Sequence, residues 1–125
     1  MTKEAVIQSF FESYGLPAFP AISVPTSGNE LPEFPYITYI APTDSDLGRF
    51  TVTCSVYDRS EGWTRVNTIV RTISQDIMTG KVLECDGGAI IVRKGSPFAQ
   101  PVGDDSDNMI KRKVLLFDFM FATTY

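Results

Sequence analysis

The sequence predicts an α+β domain, a mixed or antiparallel β-sheet with two helices packed on one face. Three observations carry this. Apolar residues recur at helical spacing over residues 2–14 and 60–79. Short apolar or alternating runs, among them "PYITY", "RFTVTCSVY" and "KVLLFDFMF", have the length and β-branched or aromatic content of strands. The joints between these segments are rich in Gly, Pro and Asp. A chain of 125 residues fits a single domain spanning 1–125, and should bury roughly two-thirds of its unfolded surface.

In the first helix Val6, Ile7, Phe10, Phe11 and Tyr14 form one stripe, with Thr2 placed to cap the start and Gly15 to stop the end. From Leu16 to Pro35 the prolines Pro17, Pro20, Pro25, Pro32 and Pro35 exclude a helix and predict a long irregular connection. Tyr36 to Ile40 reads as a strand, and "APTDSDLG" supplies turn residues before a second strand, Arg49 to Tyr57. In that strand Phe50, Val52, Cys54 and Val56 share a face, which makes Cys54 a small core residue. Ser60 is placed to cap the second helix, where Trp63, Val66, Ile69, Val70, Ile73 and Ile77 form the buried stripe and Gly80 ends it.

"KVLEC" and "AIIVRKG" flank Asp86-Gly87-Gly88, a hairpin signal. The polar segment from Gly95 to Asn108 shows no periodicity and is expected to be a poorly ordered loop in the isolated subunit, with too little to bury to offset its ordering cost. The closing strand, "KRKVLLFDFMFATTY", puts Leu115, Phe117, Phe119 and Phe121 on one face and Val114, Leu116, Asp118 and Met120 on the other. Both faces need cover, so it is a central strand or one whose second face meets another chain.

A net charge of −4 and a pI near 4.7 give no electrostatic footprint for gripping nucleic acid. The N-terminal residues lack the pattern of a signal peptide, and no run approaches the ~18 apolar residues of a membrane span. A cytoplasmic site of synthesis and no membrane partner are therefore expected. Cys54 and Cys85 have no paired spacing and read as reduced thiols.

The chain has no histidine, which removes the commonest general base and metal ligand near neutral pH. "GKVLECDGG" lacks the spacer and hydroxyl of a phosphate loop, so Lys81 reads as a solvated strand residue. The carboxylates of "DSD" (44–46) and "DDSD" (104–107) lack the spacing, central glycine and terminal Glu of a calcium loop and read as solvated loop tips. Asp118 interrupts an apolar strand and reads as half of an ion pair, within or between chains. No catalytic residue, cofactor or metal is expected, and the chain is not read as an enzyme. A Pro-rich connection, an acidic segment and a strand with two apolar faces are instead the parts of an assembly subunit.

The order of elements resembles the tail-terminator or tail-completion proteins of long-tailed bacteriophages. The resemblance is carried by the N-terminal helix, the Pro-rich connection, the "PYITY" strand, and a strand ending in "SVYDRS" that leads into an amphipathic helix. It continues through a Gly-ended helix, a hairpin, a variable segment and a closing aromatic strand, covering nearly the whole chain. The Leu16 to Pro35 connection departs from that pattern in its length and proline content. The resemblance implies a sheet with helices on one face and six subunits in a ring on the tail tube. The ring stops tube polymerisation and joins the head. It further implies a tail tube protein and a head-completion protein as partners, DNA passing through without specific binding, and residence in the virion tail. An acidic loop carrying Asp104, Asp105 and Asp107 would then suit the lumen, where like charge lets a polyanion slide. Two other classes stay open: a head-completion or neck subunit, and a small-molecule binding domain or enzyme.

Overall fold

The computed structural model describes residues 2–21, 33–41, 48–103 and 107–123. Helix α1 (Lys3–Glu12) starts where the sequence indicates: the Thr2 hydroxyl oxygen accepts the Ala5 N–H at 3.1 Å. It buries Val6, Ile7, Phe10 and Phe11. Gly15 at φ +80° turns the chain out of the helix, in a conformation that favours glycine.

The chain then departs from expectation. Residues Ala18–Pro20 form a short strand, β1, parallel to β2 (Tyr36–Ile40), with the Ile37 N–H donating to the Pro17 carbonyl at 2.8 Å. Proline does not forbid this strand because β1 lies at the sheet edge, where a nitrogen facing outward removes no ladder bond. Residues 22–32 of the Pro-rich connection and 42–47 of the predicted turn lie outside the described residues.

Strand β3 (Arg49–Arg59) runs two residues past its predicted end at Tyr57. Helix α2 (Thr64–Asp76) begins later than the sequence suggests. Ser60 does not cap it: the Ser60 hydroxyl donates to the Gly62 carbonyl at 2.7 Å, and Trp63 occupies the cap position with no side-chain bond. A short side-chain turn around Gly62 has competed with the helix start. Past α2, Gly80 at φ +91° donates its N–H to the Ile77 carbonyl at 3.0 Å and closes the helix end as predicted.

The hairpin of β4 (Lys81–Cys85) and β5 (Gly88–Val102) forms around Asp86-Gly87, and β6 (Ile110–Thr123) closes the chain. The sheet has six strands in the order β1-β2-β3-β6-β5-β4, with β1 and β2 parallel and every other neighbour antiparallel. It is therefore the mixed member of the predicted pair, and β6 is central.

The expected loop from Gly95 to Asn108 is the largest correction, because residues 95–102 are strand. After a bulge between Lys94 and Ala99, the pairs Ala99 with Leu115 through Val102 with Arg112 resume the β5–β6 ladder. Phe98 supplies the burial that the polar composition hid: its ring meets Phe117 edge-on at 5.5 Å. Pro97 and Pro101 are tolerated because β4 pairs with β5 only as far as Val92, leaving the rest of β5 an open edge. Gly95 is required by close approach, since a Cβ there would lie 2.8 Å from the Leu116 carbonyl oxygen.

Both helices pack on one face, as predicted. Val52, Cys54 and Val56 of β3, Leu115, Phe117 and Phe119 of β6, and Ile90 and Val92 of β5 meet the apolar sides of α1 and α2 there. Val66, Val70, Ile73 and Ile77 of the second stripe are buried, whereas Trp63 is half-buried at the rim, with the Lys111 ammonium 5.8 Å from its ring. Gln8 ties the layers together: its amide nitrogen donates to the Ala18 carbonyl at 2.7 Å, and its oxygen accepts from the Tyr39 hydroxyl.

Candidate assembly surface

The helix-free face of the sheet is assigned by register. Opposite the core positions it carries Tyr36, Thr38 and Ile40 on β2, then Thr51, Thr53, Ser55 and Tyr57 on β3. It continues with Arg112, Val114, Leu116, Asp118 and Met120 on β6, Arg93 and Ile91 on β5, and Val82 on β4. One end of this face packs on itself. Tyr36 and Tyr57 stack at 4.9 Å, the Arg112 guanidinium lies 5.3 Å from the Tyr57 ring, and Arg112 reaches the Ser55 hydroxyl at 3.1 Å. Toward the other end Val114, Leu116, Met120 and Ile91 remain half-exposed, with no helix among the described residues over them.

Asp118 sits on this face. Arg49 grips it through Nε, 3.0 Å from both carboxylate oxygens, and through Nη2 at 2.7 Å. The sequence left open whether the pair forms within or between chains; it closes within the chain, diagonally from β3 to β6. Arg49 holds the Asp118 carboxyl below its ordinary range against a weaker desolvation, and Arg93 adds to the effect. The Arg49 side chain is 66% exposed, so the pair orients two strands more than it stabilises them.

Asp107 is not the solvated loop tip the sequence suggested. Its carboxylate accepts the Met109 N–H at 2.9 Å and pairs with Arg59 at 3.1 Å, fixing the turn into β6. Asp104 and Asp105, the other two residues of the proposed lumen loop, lie outside the described residues, as do Asp44 and Asp46. Lys81 is also corrected: it is only one-third exposed and bonds Asp76 at 2.7 Å, and Asp76 accepts the Tyr14 hydroxyl at 2.8 Å as well. That small network joins the ends of both helices to the start of β4.

The sequence reading missed Asp58. It is fully buried at the end of β3, and Arg65 at the start of α2 donates Nε to both its oxygens at 2.9 Å. Burial pushes this carboxyl up, but the Arg65 hydrogen bonds and the Arg59 backbone N–H outweigh it and hold it below its ordinary value. The available signal was a charged residue in "SVYDRS" at a strand-to-helix joint with an arginine seven positions on. Cys54 is buried and free, and burial pushes its thiol far up, which makes it inert. Cys85 is half-buried and free.

An open groove of about 410 Å³ runs between α1 and β4, floored by Val6, Phe10 and Leu83 and rimmed by Ser9, Ser13 and Glu84. Its one lysine, Lys81, is engaged by Asp76. Among the described residues no cluster of three His, Cys, Asp or Glu side chains could hold a metal ion, and no helix is long and apolar enough to cross a membrane. Asp58, Asp76, Asp107 and Asp118 are each held by a cation of the same chain, so their chemistry is spent on joining elements. Comparison with protein-family models, curated proteins and solved structures finds no match.

Proposed function

We propose that this chain is a phage virion subunit of the tail-terminator kind, a protomer that closes with copies of itself into a ring on the end of the tail tube. In that role it stops tube polymerisation and presents the surface to which the head joins. Six copies follow from the family resemblance, as do the tail tube and head-completion proteins as partners, passage of DNA without specific binding, and a place in the virion tail. The observation that supports the reading is a sheet with both helices on one face and a half-exposed apolar strip, Val114, Leu116, Met120 and Ile91, on the other. Such a strip suits a protein contact, and carboxylates each engaged by a cation of the same chain suit a scaffold better than a reaction.

Light scattering followed by negative-stain imaging tests the proposal, with closed rings as the expected result, either free or on added tail tubes. A strict monomer at every concentration, with tail tubes present, refutes it. Rings found on capsid vertices instead of tube ends would assign the chain to the head-completion class.

A further inference from the structure

We infer that the helix-free face of the sheet receives an acidic segment of another protein, with Arg112 as the anchor; the inference rests on the reading of that face as an assembly contact. The strand cations divide by type. By register Arg49 and Arg59 on β3, Arg112 on β6 and Arg93 on β5 lie on the helix-free face, whereas Lys81, Lys94, Lys111 and Lys113 lie on the side of the helices. Contacts agree: Lys81 bonds Asp76 of α2, and Lys111 approaches the Trp63 ring at the α2 cap.

Among the described residues of β2, β3, β5 and β6 the helix-free face carries one carboxylate, Asp118, and the turn before β6 adds Asp107. Four arginines against two aspartates leave an excess of positive charge on this face, in a chain whose net charge is −4. The excess sits at two places. Arg49 and Arg93 share the single carboxylate of Asp118, and Arg93 is exposed directly across the ladder from it. Arg112 pairs with no carboxylate of the described residues. Its Nε and Nη2 donate to one neutral acceptor, the Ser55 hydroxyl, at 3.2 and 3.1 Å, and the Tyr57 ring lies 5.3 Å from its guanidinium. Ser55 is buried, so this guanidinium is fixed in place before any anion arrives.

Between the two places β6 presents half-exposed Val114 and Leu116. Arg112 and Asp118 stand about 20 Å apart along the strand. The face therefore matches a partner with apolar side chains between carboxylates at that separation, and arginine beside a tyrosine ring is the composition that anchors protein contacts. Nucleic acid is a poorer match, because the apolar strip offers nothing to a phosphate backbone and Arg49 and Arg59 already hold carboxylates. A second copy is also a poorer match: face to face it sets arginine against arginine, and the opposite side of the sheet carries the strand lysines.

The probe is a fluorescein-labelled peptide of alternating glutamate and valine, about eight residues long so that it spans both places when extended. Fluorescence anisotropy should show saturable binding to the native chain, weakened about fivefold or more by Arg112→Gln and by Arg93→Gln, and unchanged by Lys113→Gln. Circular dichroism checks that each variant folds, and Arg93→Gln, at an exposed position, decides the matter where Arg112→Gln does not. Absence of binding, or an equal loss in Lys113→Gln, overturns the inference, and rings still seen by light scattering would leave the ring reading standing. Arginine-dependent binding by a chain that forms no rings with tail tubes present supports the acidic contact and refutes the ring. Tighter arginine-dependent binding of a short DNA duplex than of the peptide overturns the inference in favour of nucleic acid. Dispersal of rings by excess peptide overturns it in favour of a neighbouring copy as occupant.

Discussion

Arg65→Ala tests the joint between sheet and helix that the sequence reading missed. Asp58 is fully buried, and three donor contacts from Arg65 are removed together. Breaking a wholly buried pair from one side costs about 3–5 kcal/mol. The Arg65 side chain is 55% exposed, so water screens the pair and replaces part of what is lost. The cost should fall to that of losing hydrogen bonds to a charged group, about 1.5–3 kcal/mol. For a domain of this size that is a drop of roughly 5–15 °C in Tm by circular dichroism at neutral pH. The sign of the pH dependence follows from the depressed carboxyl of Asp58. Its contribution is fully present above the unfolded value of about 3.9 and is lost as pH falls through the lower folded value. The gap between the native chain and Arg65→Ala should therefore narrow in acid, and adding Asp58→Asn should restore part of the stability lost at neutral pH. A loss under about 0.5 kcal/mol at neutral pH, or a gap that persists unchanged in strong acid, refutes the reasoning.

Ile73→Ala should cost about 2–5 kcal/mol in denaturant titration, because Ile73 is fully buried between α2 and the sheet; under about 1 kcal/mol would show that the stripe is not core. Gly95→Ala should cost about 1–3 kcal/mol, since the new methyl meets the Leu116 backbone at 2.8 Å. Hydrogen exchange supplies the companion measurement: slow amides over Ala99–Val102 are expected in the native chain, and uniformly fast exchange there would show that the second half of β5 does not pair. Arg49→Ala should change stability by under about 1 kcal/mol and by less still in high salt, the pair with Asp118 being exposed; a larger loss would mean that Asp118 is desolvated by something beyond the single chain.

Where burial and period coincide, the sequence was legible. Phe10 and Phe11, the alternation Val52-Cys54-Val56, the stripe Val66-Val70-Ile73-Ile77, and Phe117 with Phe119 all lie in the core they were assigned to. It misled where one side chain or one edge position decided the outcome. β1 is three residues long and holds its place through a ladder to β2, which no local pattern reports. The second half of β5 reads as loop because Gly95, Pro97 and Pro101 dominate its composition, yet a single ring, Phe98 against Phe117, and a waiting ladder on β6 suffice to order it. The start of α2 shifted: the Ser60 hydroxyl donates to the Gly62 carbonyl in a turn ahead of the helix instead of accepting a helix N–H as a cap would.

The assembly surface was legible only in outline, for a related reason. The two apolar faces of β6 were visible in the sequence, but alternation along one strand cannot say which neighbours complete a patch. That depends on strand order, and order here comes from a crossover: α2 carries the chain from β3, third in the sheet, to β4 at its far edge. The same crossover places Val82 on the edge strand β4 and Ile40 on β2, four strands away on the same face, although each looks like an ordinary strand residue in its own segment. A hairpin order would have set β4 beside β3 and buried the edge that now stands open. The topology therefore decides which apolar residues share a face, while the sequence pattern by itself reports only that some apolar surface is left over.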